Sequence, residues 1–119
     1  MLFCYASLRM EASMIDWSRV AQLRDEIGAE DFAEVAELFL LEVEDTLFRL
    51  DGAADNPEEM RELMHFLKGS ALNLGFSDLS TVCSQGEAIS AGIDVATLKD
   101  LYARSRRFFE AGYAKRFAA

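Results

Sequence analysis

The stretch that decides the fold is N-P-E-E-M-R-E-L-M-H-F-L-K-G-S-A-L-N-L-G, running from Asn56 to Gly75. It opens on a helix-starting pattern, with Asn56 as the cap, Pro57 at the first helical position and Glu59 at the third. It closes on a glycine, the residue that best tolerates the left-handed turn after a helix. With about 3.6 residues per turn, Met60, Leu63, Met64, Leu67, Ala71 and Leu74 gather in one sector. His65 falls roughly 150° from the centre of that sector, which turns it toward solvent. The spacing therefore predicts a helix over 57–74 that buries one face and displays a histidine on the other.

Outward from this segment the same punctuation recurs. Gly28, Gly52 and Gly92 each follow an apolar-periodic stretch, while Asp16, Asp31, Ser77 and Asp94 stand where N-caps belong. Asp31 with Glu34 has the spacing of a capping box. Helices are predicted over 17–27, 31–51, 57–74, 78–91 and 95–116, and no stretch alternates with period two for long enough to be a strand. The second helix offers Phe32, Val35, Ala36, Phe39, Val43, Leu47 and Leu50 as its core stripe. The fourth offers Leu79, Val82, Cys83, Gly86 and Ile89, and the fifth Leu98, Leu101, Tyr102, Ser105, Phe108, Phe109 and Gly112. Gly86 and Gly112 lie on these stripes, where a missing side chain lets helices approach closely. Short connections force neighbours antiparallel, so the expected fold is all-α: an up-down-up-down four-helix bundle with a short extra N-terminal helix. One domain is expected over residues 15–119, with residues 1–14 as a tail or an extra helical turn. Leu41 and Phe48 fall off the main stripe of the second helix. They either pack beneath the leading helix or line a surface presented to a partner.

Composition narrows the function. The 119 residues are 51% hydrophobic and 28% charged, too apolar for a disordered acidic chain. The net charge of -9 argues against a nucleic-acid backbone as partner. Residues 1–62 carry 16 acids and 5 bases, and residues 63–119 carry 5 acids and 7 bases. Solvated helix faces account for this asymmetry; an acidic flank that selects partners by charge is the alternative. Cys4 and Cys83 form neither a disulfide framework nor a metal-ligand spacing. The apolar start, Met1 to Met10, lacks a basic leader region and is too short to span a bilayer, and no longer apolar run follows. A cytoplasmic protein that does not engage the membrane is expected.

With a single histidine, any imidazole chemistry falls to His65. Its helical neighbours are Arg61 one turn before, Lys68 and Gly69 one turn after, and Leu72 two turns after. Gly69 costs about 1 kcal/mol relative to alanine in a helix interior. It is neither a terminal cap nor on the core phase, so a bare backbone beside an exposed imidazole suggests close approach by another molecule. A neutral imidazole is a nucleophile at neutral pH. A phosphoryl group in transfer carries negative charge on its equatorial oxygens, which a cation one turn away can stabilise. Lys68 is that cation, with Arg61 as a second. The chain has no glycine-rich phosphate loop, so a phosphoryl donor would be another protein.

At these residues the sequence resembles the histidine-containing phosphotransfer (HPt) domains of two-component phosphorelays. H-F-L-K-G-S-A-L-N-L-G-F, His65 to Phe76, is similar to the family's H-x-L-K-G-[SA]-x-x-x-[LI]-G-[AF] signature, and the similarity continues through Leu79, Cys83 and Glu87. Gly86 departs from the leucine usual before Glu87. The resemblance implies a phosphorelay intermediate, with His65 accepting a phosphoryl group from a receiver-domain phosphoaspartate and passing it to another receiver. It implies that Lys68 contacts that group, Gly69 clears room for the receiver, Ser70 helps in packing or a hydrogen bond, and Glu87 orients the imidazole ring. No cofactor or metal is implied for this chain, since the Mg2+ of the reaction resides in the receiver. Response-regulator receivers and a hybrid sensor histidine kinase are the implied partners. Docking would bury Phe66 and Leu72 beside His65, with Leu41 and Phe48 lining the receiver-docking surface unless they pack under the leading helix, and a monomer is the default. Two rival classes stand beside this reading. One is a non-transferring adaptor, a pseudo-HPt that binds and inhibits a receiver or kinase. The other is a helical bundle with metal or hydrolytic activity, which a lone histidine opposes.

Overall fold

The computed structural model describes residues 14–89 and 94–117, the side chains of 87–89 lying outside this set. Among the described residues five helices follow one another: α1 (Trp17–Ile27), α2 (Phe32–Leu50), α3 (Pro57–Leu74), α4 (Ser77–Ile89) and α5 (Val95–Phe117). Among the described residues the only β pairing is one isolated bridge between Ile15 and Phe76. The chain is an all-α helical bundle. Helices α2 to α5 pack in sequence, α5 returns against α2, and α1 lies against α2 and α3.

Local chemistry explains most helix ends. The Asp16 carboxylate accepts from the Arg19 N–H at 3.2 Å, and the Asn56 side chain from the Glu59 N–H at 3.1 Å. Asp94 accepts from the Ala96 N–H at 3.1 Å and from the Thr97 hydroxyl at 2.7 Å. The Thr97 hydroxyl, chiefly, holds the Asp94 carboxyl below its usual range. Asp31 departs from the expected capping box. Its backbone is already helical (φ -97°, ψ -10°), so its side chain makes no cap bond and α2 starts at Phe32. The Gly28 carbonyl closes this start by accepting from the Asp31 and Phe32 N–H groups at 3.2 and 3.0 Å. Ser77 is the first residue of α4 and not the residue flanking it.

The glycines divide in the same way. Gly28 and Gly75 take positive φ, at 104° and 84°, as expected. Gly52 does not. The chain leaves α2 through tightened i→i−3 bonds, from the Asp51, Gly52 and Ala53 N–H groups to the Phe48, Arg49 and Leu50 carbonyls, so no left-handed residue is required. Gly92 lies outside the described residues. Gly86 is buried, and Gly112 lets α1 and α5 meet, since a Cβ there would sit 2.2 Å from the Trp17 ring.

The core runs the length of the bundle. On α2 the buried apolar residues are Phe32, Ala36, Leu40, Val43, Leu47 and Leu50, while Val35 and Phe39 are half-buried. Leu40 falls outside the stripe expected from periodicity because α5, packing on that side, turns the buried sector toward itself. A polar clasp seals the α2–α5 seam. The Tyr102 hydroxyl donates to Glu44 at 2.5 Å, and Arg106 bonds to Glu44 and to Glu110 at 2.8 Å. Burial, reinforced by Glu44, pushes the Tyr102 phenol up. Leu41 and Phe48 do not pack beneath α1. They are 52% and 74% exposed, because α1 meets the core through Val20 and Leu23 and leaves the outer face of α2 bare.

Gly75 fastens the end of α3 to the chain before α1. Its N–H donates to the Leu72 carbonyl at 3.3 Å and the Phe76 N–H to the Ala71 carbonyl at 2.8 Å, a Schellman closure. Its own carbonyl accepts from the Asp16 N–H at 2.7 Å. A Cβ at Gly75 would lie 2.8 Å from the Asp16 carbonyl oxygen. Gly75→Ala therefore meets both a disfavoured φ and a backbone clash, and chemical denaturation should show a loss of about 1–3 kcal/mol.

Cys83 lies fully within the core on α4, and burial pushes its thiol up to about 12. An unfolded chain releases that proton near pH 9, so this contribution to stability is complete below pH 9 and fades as pH rises toward 12. In a Cys4→Ser background, native protein at pH 8 should resist iodoacetamide, whereas denatured protein should react at once. The Cys83→Ala variant should lose stability less steeply than its parent between pH 9 and 12.

Candidate functional site

Burial fixes the rotation of α3 about its axis. Met60, Met64, Leu67, Ala71 and Leu74 are buried on one side, with Ser70 at the edge of the buried sector, 7% exposed. His65 is exposed on the side opposite that stripe. It stands mid-helix, two turns after the Asn56–Pro57 start and more than two before the Gly75 closure, where the backbone is fully hydrogen-bonded. The imidazole is therefore carried on a rigid element.

Gly69, one turn on, faces open space, with no heavy atom outside its own helix surroundings within 4 Å of where a Cβ would be. His65, Phe66, Gly69, Ser70 and Asn73 together line a shallow depression. The row His65–Gly69–Asn73, spaced by four residues, is the crest of α3. Phe66 and Ser70 lie on one side of that crest. Arg61, Lys68 and Leu72 lie on the other by helical phase and do not line the depression. Arg61 is exposed, Lys68 half-buried, and Leu72 55% exposed.

Some positions follow the residue-by-residue expectation and others add to it. His65, Gly69 and Ser70 share one surface feature, and Lys68 stays one turn from His65 on its other flank. Asn73 is an addition. It sits two turns beyond His65 at i+8, a spacing that could have flagged it, and its backbone carbonyl accepts from the Arg19 guanidinium at 3.1 Å. That bond ties α1 to the end of the crest. Phe66, 45% exposed, lines this depression and also a groove between α2 and α3, where it meets Glu42, Asp45, Arg49, Glu62 and Leu63. Glu87 lies on α4, but its side chain is outside the described residues.

The arrangement offers an imidazole ring on a convex surface, with a cation on one flank and an unobstructed backbone one turn along the crest. A convex site of this kind suits chemistry completed by a second macromolecule better than capture of a small substrate. A model of the Hpt domain matches residues 34–108, from the first turn of α2 into α5. The chain belongs to the Hpt domain family. Two relatives, the "Phosphorelay protein LuxU" of Vibrio vulnificus strains YJ016 and CMCP6, are each 28% identical to this Hpt domain over 96 residues, spanning 73% of this chain and 84% of theirs. No solved structure matches the chain.

Gly69 generates a stability test for this Hpt domain. Its backbone is helical and its surroundings are empty, so Gly69→Ala should gain about 0.5–1 kcal/mol in urea denaturation. A loss would mean that the open space does not persist in solution.

Proposed function

We propose that this Hpt domain is a phosphorelay intermediate that takes a phosphoryl group onto His65 from a receiver-domain phosphoaspartate and returns it to the aspartate of another receiver. The observation that carries this reading is the exposed His65 on the crest of α3 beside open Gly69, in a chain of the Hpt family. The lone pair of Nε2 attacks phosphorus, an N–P bond forms, the O–P bond of the acyl phosphate breaks, and the donor leaves as a carboxylate. In the return step the aspartate carboxylate of the second receiver attacks phosphorus, a new O–P bond forms, and the N–P bond breaks to give back the neutral His65 imidazole. Mg2+ belongs to the receiver's half of the site.

In this reading Lys68 supplies positive charge to the equatorial oxygens, with Arg61 as a second cation. Gly69 keeps the approach clear. Ser70, packed at the edge of the buried sector, supports the local backbone, and Glu87 orients the ring. Phe66 and Leu72 give the receiver apolar contact on the two flanks of the crest. The partners are response-regulator receivers and a hybrid sensor histidine kinase, met in the cytoplasm by a monomer. Among the described residues no helix is long and apolar enough to cross a membrane.

The test is transfer of label from a phosphorylated receiver. The wild type should acquire an acid-labile, base-stable adduct, and His65→Gln should acquire none. Gly69→Leu should remain folded and slow the transfer, because it fills the approach path. Label on His65→Gln equal to wild type would overturn the relay. A wild type that binds receivers without taking label would establish the inhibitory adaptor instead.

A further inference from the structure

Helix α2 is amphipathic twice over. Its core stripe faces the bundle, and a second row, Leu38, Leu41, Asp45 and Phe48, repeats with the three-four spacing of a coiled-coil seam. This row points about 170° away from the core stripe. Leu38, Leu41 and Phe48 are 57%, 52% and 74% exposed, so three large apolar side chains stand in water on one helix face. None of the three lines the His65 depression or the α2–α3 groove.

The setting of the row limits what can cover it. Glu34, Glu37 and Glu42 flank it and Asp45 lies within it, against two arginines: Arg49, which pairs with Asp45 at 3.2 Å, and Arg106, which pairs with Glu37 at 3.5 Å. A second copy pairing α2 with α2 would set these acids against their own counterparts. A partner carrying the opposite charge gains where a copy would lose. Glu37, one turn before Leu41, also borders a cleft between α2 and α5 lined by Phe32, Leu40, Phe109 and Tyr113. That cleft offers a seat for an apolar anchor at the edge of the row.

We propose that the outer face of α2 is a second interaction surface, separate from the His65 crest, which binds a basic amphipathic helix of a partner protein. The partner's apolar seam covers Leu38, Leu41 and Phe48, and its flanking lysines or arginines meet the acidic borders. The phosphoryl-accepting surface stays open, so the domain can be held by one protein while it exchanges with another.

The probe is a fluorescein-labelled synthetic helix of about three heptads, with Leu at a and d and Lys at e and g. A control peptide carries Glu at e and g. Fluorescence anisotropy with the full chain should show binding of the Lys peptide, weakened by added salt, and none of the Glu peptide. The double variant Leu41→Gln/Phe48→Gln should bind at least about tenfold more weakly. Both positions are exposed, so its circular dichroism should match wild type and its label uptake at His65 should be unchanged. Equal peptide binding by wild type and variant would overturn the proposal. So would slowed phosphoryl transfer in the variant, which would assign the row to the receiver contact. Binding only after deletion of residues 1–13 would make the chain's own N-terminal segment the occupant. A wild-type dimer in sedimentation that Phe48→Gln dissolves would make the occupant a second copy. Failure of His65 to take label at all, with peptide binding intact, would overturn the relay and leave this surface standing.

Discussion

Burial of one face of α3 is the constraint on which the rest depends. Met64 and Leu67 are fully excluded from solvent, and Met60, Ala71 and Leu74 nearly so. Each methionine or leucine side chain buried at this level contributes about 1.5–3 kcal/mol relative to exposure, so rotating α3 by even one residue would cost several such contributions. The helix therefore has one rotational setting. That setting presents His65 outward, leaves Gly69 uncovered, and puts Lys68 and Phe66 on opposite flanks of the crest. The exposure of the imidazole is thus a consequence of core packing on the opposite side of the same helix.

The setting is secured at the end of the helix. Gly75 closes α3 with a left-handed residue, turns the chain into α4 within two residues, and receives the Asp16 N–H through its carbonyl. The Arg19 side chain adds a bond to the Asn73 carbonyl from the same short helix. Helix α1 thereby clamps the C-terminal end of α3, and Gly112 lets Trp17 press against α5, where it stacks on Phe109. The leading helix contributes by holding the crest still, while His65, Lys68 and Gly69 sit on α3 itself. The clasp of Tyr102, Arg106, Glu44 and Glu110 does comparable work at the α2–α5 seam, on partly exposed groups whose pairing is modest per bond.

Much of this was legible in the residues. The Asn56–Pro57–Glu59 start, the Gly75 stop and the phase of the Met60–Leu74 stripe specified α3 and the outward turn of His65, because these depend on contacts within one helix. Asp31 and Gly52 depart from the behaviour of their residue types for a common reason. Their residue types suit a cap and a left-handed stop, yet Asp31 takes a helical backbone and the turn after Leu50 closes with tightened i→i−3 bonds. The buried sector of α2 was also shifted, since Leu40 enters the core only because α5 packs against that side. Leu41 and Phe48 could not be placed from periodicity, which shows that they leave the core stripe but not whether another helix covers them. Asn73 joins the His65 depression through its i+8 spacing alone, having no chemistry of its own to draw notice.

The sequence by itself determined the helical class, the rigid helix under His65, and the cluster of lysine and glycine one turn beyond it, all properties that act within a few residues. Tertiary structure alone decided how far each helix turns its face. It left the outer row of α2 in solvent, joined Phe66 to two surface features, and bound α1 to the end of α3 through backbone groups that no residue type announces. The physical reason is the range of the forces: helix phase and caps are local, whereas exposure depends on which distant helix arrives to pack.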